Sequence, residues 1–260
     1  MRRAFVSEFL QETRAQLVRW LIHLRRERFS ITFALVTPVI FLVFFGGAFS
    51  GIAPSTLPGG NYRTFILAGI VALTVFGSSL SGGIELLFDK ENGTPTRILA
   101  APISRASILV SRFLYVNLVS SLQVVIVLAL AFLLGVRIAT GWPGAIVLLL
   151  LGLLLGFALT VISLVLAFSL SNHGEFFAIL SFLTLPLAFL SSAFVPLERM
   201  PPWMAACARM NPMTYAVNGI RTLVVSGWDW GYLLRMAGAL LVFDALCLGL
   251  GVMALRRRIS

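Results

Sequence analysis

FDKENGTPTRILAAPISRAS, residues 88–107, is a charged, proline-bounded interruption of a chain that is otherwise mostly apolar. Of 260 residues, 59% are hydrophobic and 12% are charged, against about 45–50% and about 25% in an ordinary soluble domain. Its length would allow one or two soluble domains, but the polar residues are too few to cover the apolar runs on either side of this turn. Lipid must be the solvent for most of the chain, and the turn divides it into membrane-crossing segments.

A helix needs about 20 apolar residues to cross a hydrocarbon core of about 30 Å. Six segments meet that test: 31–50, 64–87, 113–136, 144–170, 176–197 and 236–255. The fourth lies in the uncharged stretch 138–172, which Gly141-Trp142-Pro143 interrupts. All six are read as helices, because a backbone in lipid must satisfy its own hydrogen bonds. The alternating ten-residue strands of a barrel are absent from the sequence.

Net charge is +10, from 19 Arg, one Lys and 10 acids. The arginines gather at the ends of apolar runs, where anionic headgroups would meet them, so nucleic acid is not an expected partner. Six spans put both termini on one side. Fourteen of the Lys and Arg residues fall on the side of the termini and the 88–107 turn, and six on the other. The positive-inside bias therefore expects both termini and that turn in the cytoplasm.

Before the first span, Phe5, Phe9, Leu10, Leu17, Trp20, Leu21 and Leu24 recur at helical spacing among charges. Residues 5–29 are expected to lie in the interface as an amphipathic helix. No short apolar core with a cleavage site follows Arg2 and Arg3, so the N-terminus is expected to be retained. Residues 198–230 are too apolar for a solvated loop and too charged for a span. Pro201-Pro202 can open a helix and Asn211-Pro212 should end it, with helix again from Met213 to Val225. The expected fold is thus an all-α membrane protein of six transmembrane helices, an N-terminal amphipathic interfacial helix and two short outer half-inserted helices before the last span.

Within the opening turn, Thr94-Pro95 has the chemistry of a helix start, and Pro102 disfavours helix at Ala101. Glu91-Asn92-Gly93 supplies the bend before it and Ser104 a second cap after it. The helix between is about six residues, below the roughly 12–15 that an isolated helix needs in water. Something must dock on Ile98 and Leu99, since a mere linker would not need them.

Glu91-Asn92-Gly93-Thr94, Arg97, Leu99, Pro102 and Ser104 resemble the cytoplasmic signature of type-2 ABC exporter permeases, the family of the daunorubicin-resistance, nodulation-factor and O-antigen exporters. Pro196-Leu197, Met200-Pro201, Trp203, Asn211-Pro212-Met213-Thr214 and Arg221 resemble the pattern before that family's last span. The resemblance, which covers nearly the whole chain, implies that residues 89–104 form a coupling helix. Glu91, Gly93, Thr94, Arg97, Leu99 and Pro102 would meet a groove on a separate nucleotide-binding ATPase subunit, while the outer helices cap the pathway. Pro95 departs from the pattern, where a helix former is expected.

This chain is expected to hydrolyse nothing itself. A phosphate loop needs Gly-Lys followed by a hydroxyl, yet the single lysine, Lys90, follows Asp89. His23 and His173 are 150 positions apart and have no metalloprotease or nucleophile-elbow setting. Cys207 and Cys247 form no metal-binding or disulfide pattern. No metal or cofactor is expected on the chain, with ATP and Mg on the partner ATPase. The rival reading is an ion-coupled carrier or channel, since Asp244 lies mid-span and Glu85 nearer the cytoplasm. Asp244 is read either as a substrate or proton site or, more plainly, as paired with a polar group of a neighbouring span. Gly152 and Gly156, like Gly47 and Gly51, have spacing that permits close helix packing. Six spans are few to enclose a bulky substrate, so a homodimer or a heterodimer with a paralogue is expected, in the cytoplasmic membrane of a prokaryote. Drug, lipid and lipid-linked glycan all remain open as substrates, and export over import follows only from the resemblance.

Overall fold

A computed structural model of the chain describes residues 2–26, 35–49, 61–91, 105–170 and 172–259. The described residues are helical, with no strand among them. Four helical stretches are long and apolar enough to cross a membrane: Tyr62–Phe88, Leu109–Leu133, Gly141–Ser169 and Trp230–Met253. Two shorter apolar helices, Leu35–Ala48 and His173–Phe189, occupy the places expected for the first and fifth spans.

In chain order the helices are α1 (Arg2–Arg26), α2 (Leu35–Ala48), α3 (Tyr62–Ser81), α4 (Ile84–Glu91), α5 (Arg105–Leu133), α6 (Gly141–Ser169), α7 (His173–Phe189), α8 (Pro202–Met210), α9 (Pro212–Arg221) and α10 (Trp230–Ile259). Consecutive long helices alternate in direction. One end of the bundle therefore carries Glu91 and the start of α7, and the other carries Asn211 and the start of α10.

The centre of the bundle is α3. Thirteen of its 20 residues are buried, as suits a helix apolar on every side. The Asn61 side chain caps it by accepting from the Arg63 N–H at 3.0 Å. Helices α5, α6 and α9 pack around it, and α10 packs on α6 and α9. Gly152 and Gly156 turn toward α3, where a Cβ would come within 3.3 Å of Val75 and 3.0 Å of Ser79 Oγ. Their spacing thus serves packing within the chain; Gly51 lies outside the described residues. By contrast, only 17% of the apolar window of α10 is buried, so this last span lies at the rim.

α1 follows the expected amphipathic reading with one difference. Trp20 is buried with Tyr115 and Val116 of α5, with Leu17 and Leu24 beside it, whereas Leu10, Val18 and Ile22 are exposed. The apolar residues split between a face on α5 and an exposed face.

The fifth span ends earlier than hydropathy predicts. Helix is expected from 176 to 197, but α7 stops at Phe189 and residues 190–196 run as turns. Pro186 interrupts the helical bonding of its last turn. In the irregular backbone that follows, Ser191, Ser192 and Ala193 are buried, Ala193 completely, while Val195 is exposed. Beyond them, Pro202 opens α8 and Asn211-Pro212 ends it and starts α9, as the prolines require.

Candidate functional site at the two ends of the bundle

Gly82 and Gly83 separate α3 from α4, and their backbone is claimed by side chains from other helices. Arg112 of α5 donates from Nε to the Gly82 carbonyl at 2.8 Å and from Nη1 to Glu85 Oε2 at 2.5 Å. Ser163 of α6 accepts from the Gly83 N–H at 2.8 Å and donates to the Leu80 carbonyl. A glycine pair is a usual place for a helix to break, and here the Leu80 carbonyl, the Gly82 carbonyl and the Gly83 N–H each have a side-chain partner. Neither glycine could carry a side chain without displacement. A Cβ at Gly82 would stand 2.8 Å from Val116 Cγ2, and one at Gly83 2.5 Å from the Ser163 carbonyl oxygen.

Arg112 is 2% exposed and would be costly to bury alone. Besides Glu85, it has the Trp20 ring 4.3 Å from its guanidinium carbon and the Tyr115 ring at 4.9 Å. One arginine therefore joins α1, α4 and α5 at the break between α3 and α4.

Glu91, the last residue of α4, lies against the first turn of α7. It accepts from the His173 backbone N–H at 2.8 Å, and the His173 Nδ1 lies 2.8 and 2.9 Å from its two oxygens. Phe88 packs beside the same imidazole, with ring centroids 5.3 Å apart. A carboxylate at a helix N-terminus also meets the positive end of the helix dipole. The hydrogen bonds from the His173 backbone and then from its side chain hold the Glu91 carboxyl below the usual carboxylate range. Gly93, Thr94, Arg97, Leu99 and Pro102 lie outside the described residues.

At the opposite end, Asn211 serves two helices at once. Its Oδ1 accepts from the Met213 N–H at 3.0 Å and so caps α9. Its Nδ2 donates to the carbonyls of Leu187 and Leu190, each at 2.7 Å, and so satisfies the end of α7. Pro201 and Pro212 stand at the starts of α8 and α9, and Trp203 is exposed on α8. Trp142, Trp228 and Trp230 are exposed at this same end, as befits an aromatic belt at a membrane interface.

Arg221, at the end of α9, is buried. Its Nη2 donates to the Ser192 carbonyl at 2.6 Å, its Nη1 reaches Asn218 Oδ1 at 3.4 Å, and its guanidinium carbon lies 3.9 Å from the centroid of the Phe65 ring. Beside it, a Cβ at Gly69 would stand 2.4 Å from the Ala193 carbonyl oxygen. Central helix and turn are therefore in backbone contact. The turn Thr222–Ser226 is wound more loosely than an α-helix, and the Leu223 and Val224 carbonyls accept from Thr140 and Ala139. This fixes the start of α6 to the turn that follows α9.

Glu85 and Asp244 do not form one intramembrane site. Glu85 pairs with Arg112, whereas Asp244 is buried in α10 against Ala158 of α6. The polar side-chain partner expected for Asp244 is not found among the described residues, and its Oδ1 has no hydrogen-bond partner. Cys207 and Cys247 are free thiols. No group of three or more potential metal ligands occurs among the described residues.

A family profile described as ABC-2 type transporter matches residues 11–225. The chain belongs to that family. The match takes in α1 from residue 11 onward, the glycine break, the 92–104 segment, and both α8 and α9. The protein named "Putative transport permease ycf38" in Porphyra purpurea is 35% identical over 233 residues, covering 88% of this chain and 79% of that protein. Its namesake in Pyropia yezoensis is 33% identical, over 88% and 78% of the two chains. The daunorubicin resistance ABC transporter permease protein DrrB1 of Streptomyces coeruleorubidus is 29% identical, over 83% and 77%. As an ABC-2 family member, the chain is the multi-span membrane subunit of an ABC transporter.

Arg112, His173 and Ser163 were not legible in the sequence as site residues. The available signal for Arg112 was an acid, Glu85, and a base at neighbouring ends of the second and third spans, among several other charges. His173 stood out only as one of two histidines, and nothing local pointed to Glu91.

Proposed function

We propose that this chain is the permease subunit of an ATP-driven exporter that moves an amphipathic or lipid-linked substrate, such as a drug, lipid or glycan, out across the cytoplasmic membrane of a prokaryote. A separate ATPase subunit, carrying ATP and Mg, docks on residues 89–104, with Glu91, Gly93, Thr94, Arg97, Leu99 and Pro102 at the contact. The Glu91 end of the bundle and both termini face the cytoplasm. Helices α8 and α9, with Pro201, Trp203, Asn211, Pro212 and Arg221, form the cap on the other side. Two copies, or this chain and a paralogue, build the pathway within membrane lipid. The apolar, little-buried surface of α10 supports contact with either lipid or a second chain.

The observation that carries this reading is the glycine break. Gly82-Gly83 interrupts the second span eight residues before the 92–104 segment, and the short α4 beyond it is held by named side chains rather than by continuous helix. A helix broken at that point can change angle at its ATPase-facing end while α3 stays packed in the core. ATP-driven closure of two ATPase subunits would swing α4 about Gly82-Gly83 and reorient the second and third spans. Alternating access of this kind needs two arrangements that ATP binding favours unequally.

Co-purification of the tagged chain from its native membrane tests the reading. An ATPase of about 200–350 residues, the size of one or two domains, should bind the normal chain and be lost from Arg97→Glu and Gly93→Pro variants. Recovery of no ATPase even after crosslinking would refute it. The remaining reading would then be an ion-coupled carrier, which the buried Asp244, with Oδ1 left without a hydrogen-bond partner, favours.

A further inference from the structure

We propose that α7 is a strut that carries movement of α4 to the two-helix cap at the opposite end, with His173 as its near pin and Asn211 as its far pin. The inference deepens the coupling reading above and rests on it.

Three observations support it. First, α7 is weakly embedded. Of its 17 residues only Phe176, Leu180 and Ala188 are buried, and Phe182, Leu185 and Phe189 are exposed. It packs on α4 and α3 without comparable contact to α5, α6 or α10 among the described residues. Second, its polar attachments are concentrated at its two ends. At the start, Glu91 of α4 accepts from both the backbone and the ring of His173. At the finish, Asn211 donates to the carbonyls of Leu187 and Leu190. Third, the far pin leads directly into the cap, because the same Asn211 side chain caps α9.

A 17-residue helix is about 25 Å long, close to the hydrocarbon thickness of about 30 Å. A helix of that length held mainly at its ends passes displacement from one to the other. If α4 swings about Gly82-Gly83, Glu91 takes the head of α7 with it, and Asn211 passes the shift to α9. His173 is a positioning residue in this scheme and touches no substrate.

The test uses the full chain purified with its ATPase subunit. With Cys247 changed to Ala, the exposed thiol of Cys207 on α8 carries an environment-sensitive fluorophore. The emission change on adding ATP with orthovanadate reports movement of the cap. His173→Ala should shrink that change at least about fivefold, the low end of coupling between distant sites. His173→Asn, whose amide nitrogen can stand where Nδ1 stood, should restore it. Asn211→Ser, measured well below its melting temperature, should give the same loss from the far pin. A normal response in both His173→Ala and Asn211→Ser would overturn the strut and leave ATPase coupling intact. Absence of any response in the otherwise normal chain would overturn the coupling reading, and the strut with it.

Discussion

Asn211 offers the sharpest test of how the cap is held, because its two side-chain atoms do separable work. Asn211→Ser keeps an oxygen to accept from the Met213 N–H, so the cap of α9 survives, but both donations to α7 are lost. The residue is 5% exposed, so water cannot readily replace those bonds. Each lost bond is worth about 1 kcal/mol net, and a buried carbonyl left unpaired costs about 1–3 kcal/mol. Since a carbonyl can partly relax toward other donors, Asn211→Ser should destabilise by about 2–3 kcal/mol. Asn211→Asp keeps the same acceptor but turns an oxygen toward the Leu187 and Leu190 carbonyls and buries a charge, for a loss of about 4 kcal/mol or more. At about 2–4 °C per kcal/mol for a chain of this size, the serine variant should melt about 5–10 °C lower and the aspartate variant lower still. Melting of the detergent-purified protein, followed by tryptophan fluorescence and by size-exclusion recovery, reads this directly. An aspartate variant as stable as the serine variant, or a serine variant melting with the normal chain, would refute the double-cap reasoning.

Gly69→Ala should cost about 3 kcal/mol, because the new methyl would meet the Ala193 backbone at 2.4 Å. Gly77→Ala on the same helix, with open space around it, should be neutral or slightly stabilising, and equal melting of the two variants would contradict the packing. Arg112→Lys keeps the charge but not the fork that reaches Gly82 and Glu85 together, nor the stacking on Trp20. A loss of about 1–2 kcal/mol and faster proteolysis within α1 should follow, and unchanged cleavage would count against the anchor. For pH, Glu91 has a folded pKa below its unfolded one, so its contribution is complete above the unfolded value and lost as pH falls through the folded one. Its neighbours at that end are His173 and Glu175 of α7. Hydrogen exchange at the His173 amide should stay slow from pH 7 to pH 5 by about the same protection factor, and should quicken in Glu91→Gln; exchange as slow in that variant as in the normal chain would argue against the clasp.

Much of the architecture was legible because lipid imposes strong local rules. Long uncharged runs marked the spans, and Pro201-Pro202 and Asn211-Pro212 marked the starts of α8 and α9 through their own backbone chemistry. The end of the fifth span was misplaced because hydropathy cannot distinguish lipid-facing helix from irregular backbone buried by protein. Residues 190–197 are as apolar as a span, yet part of them lies under Arg221 and against Gly69. Asp244 was read either as a substrate or proton site or as paired with a polar group of a neighbouring span, and the structure sets the α6 backbone at Ala158 against it. Glycine spacing alone also left open whether Gly152 and Gly156 served a second chain or, as found, α3.

What the sequence determined by itself was whatever depends on neighbours along the chain: an all-helical membrane protein, the places where helices begin or break, and membership in a transporter family. The tertiary structure decided the pairings between distant positions. Arg112 meets Glu85 across 27 residues, Ser163 meets Gly83 across 80, Glu91 meets His173 across 82, and Asn211 reaches Leu187 across 24. Such contacts have no local signature, because one charge or one hydroxyl at a helix end fits many partners equally well. Only the order in which the helices pack brings a particular pair within hydrogen-bonding distance.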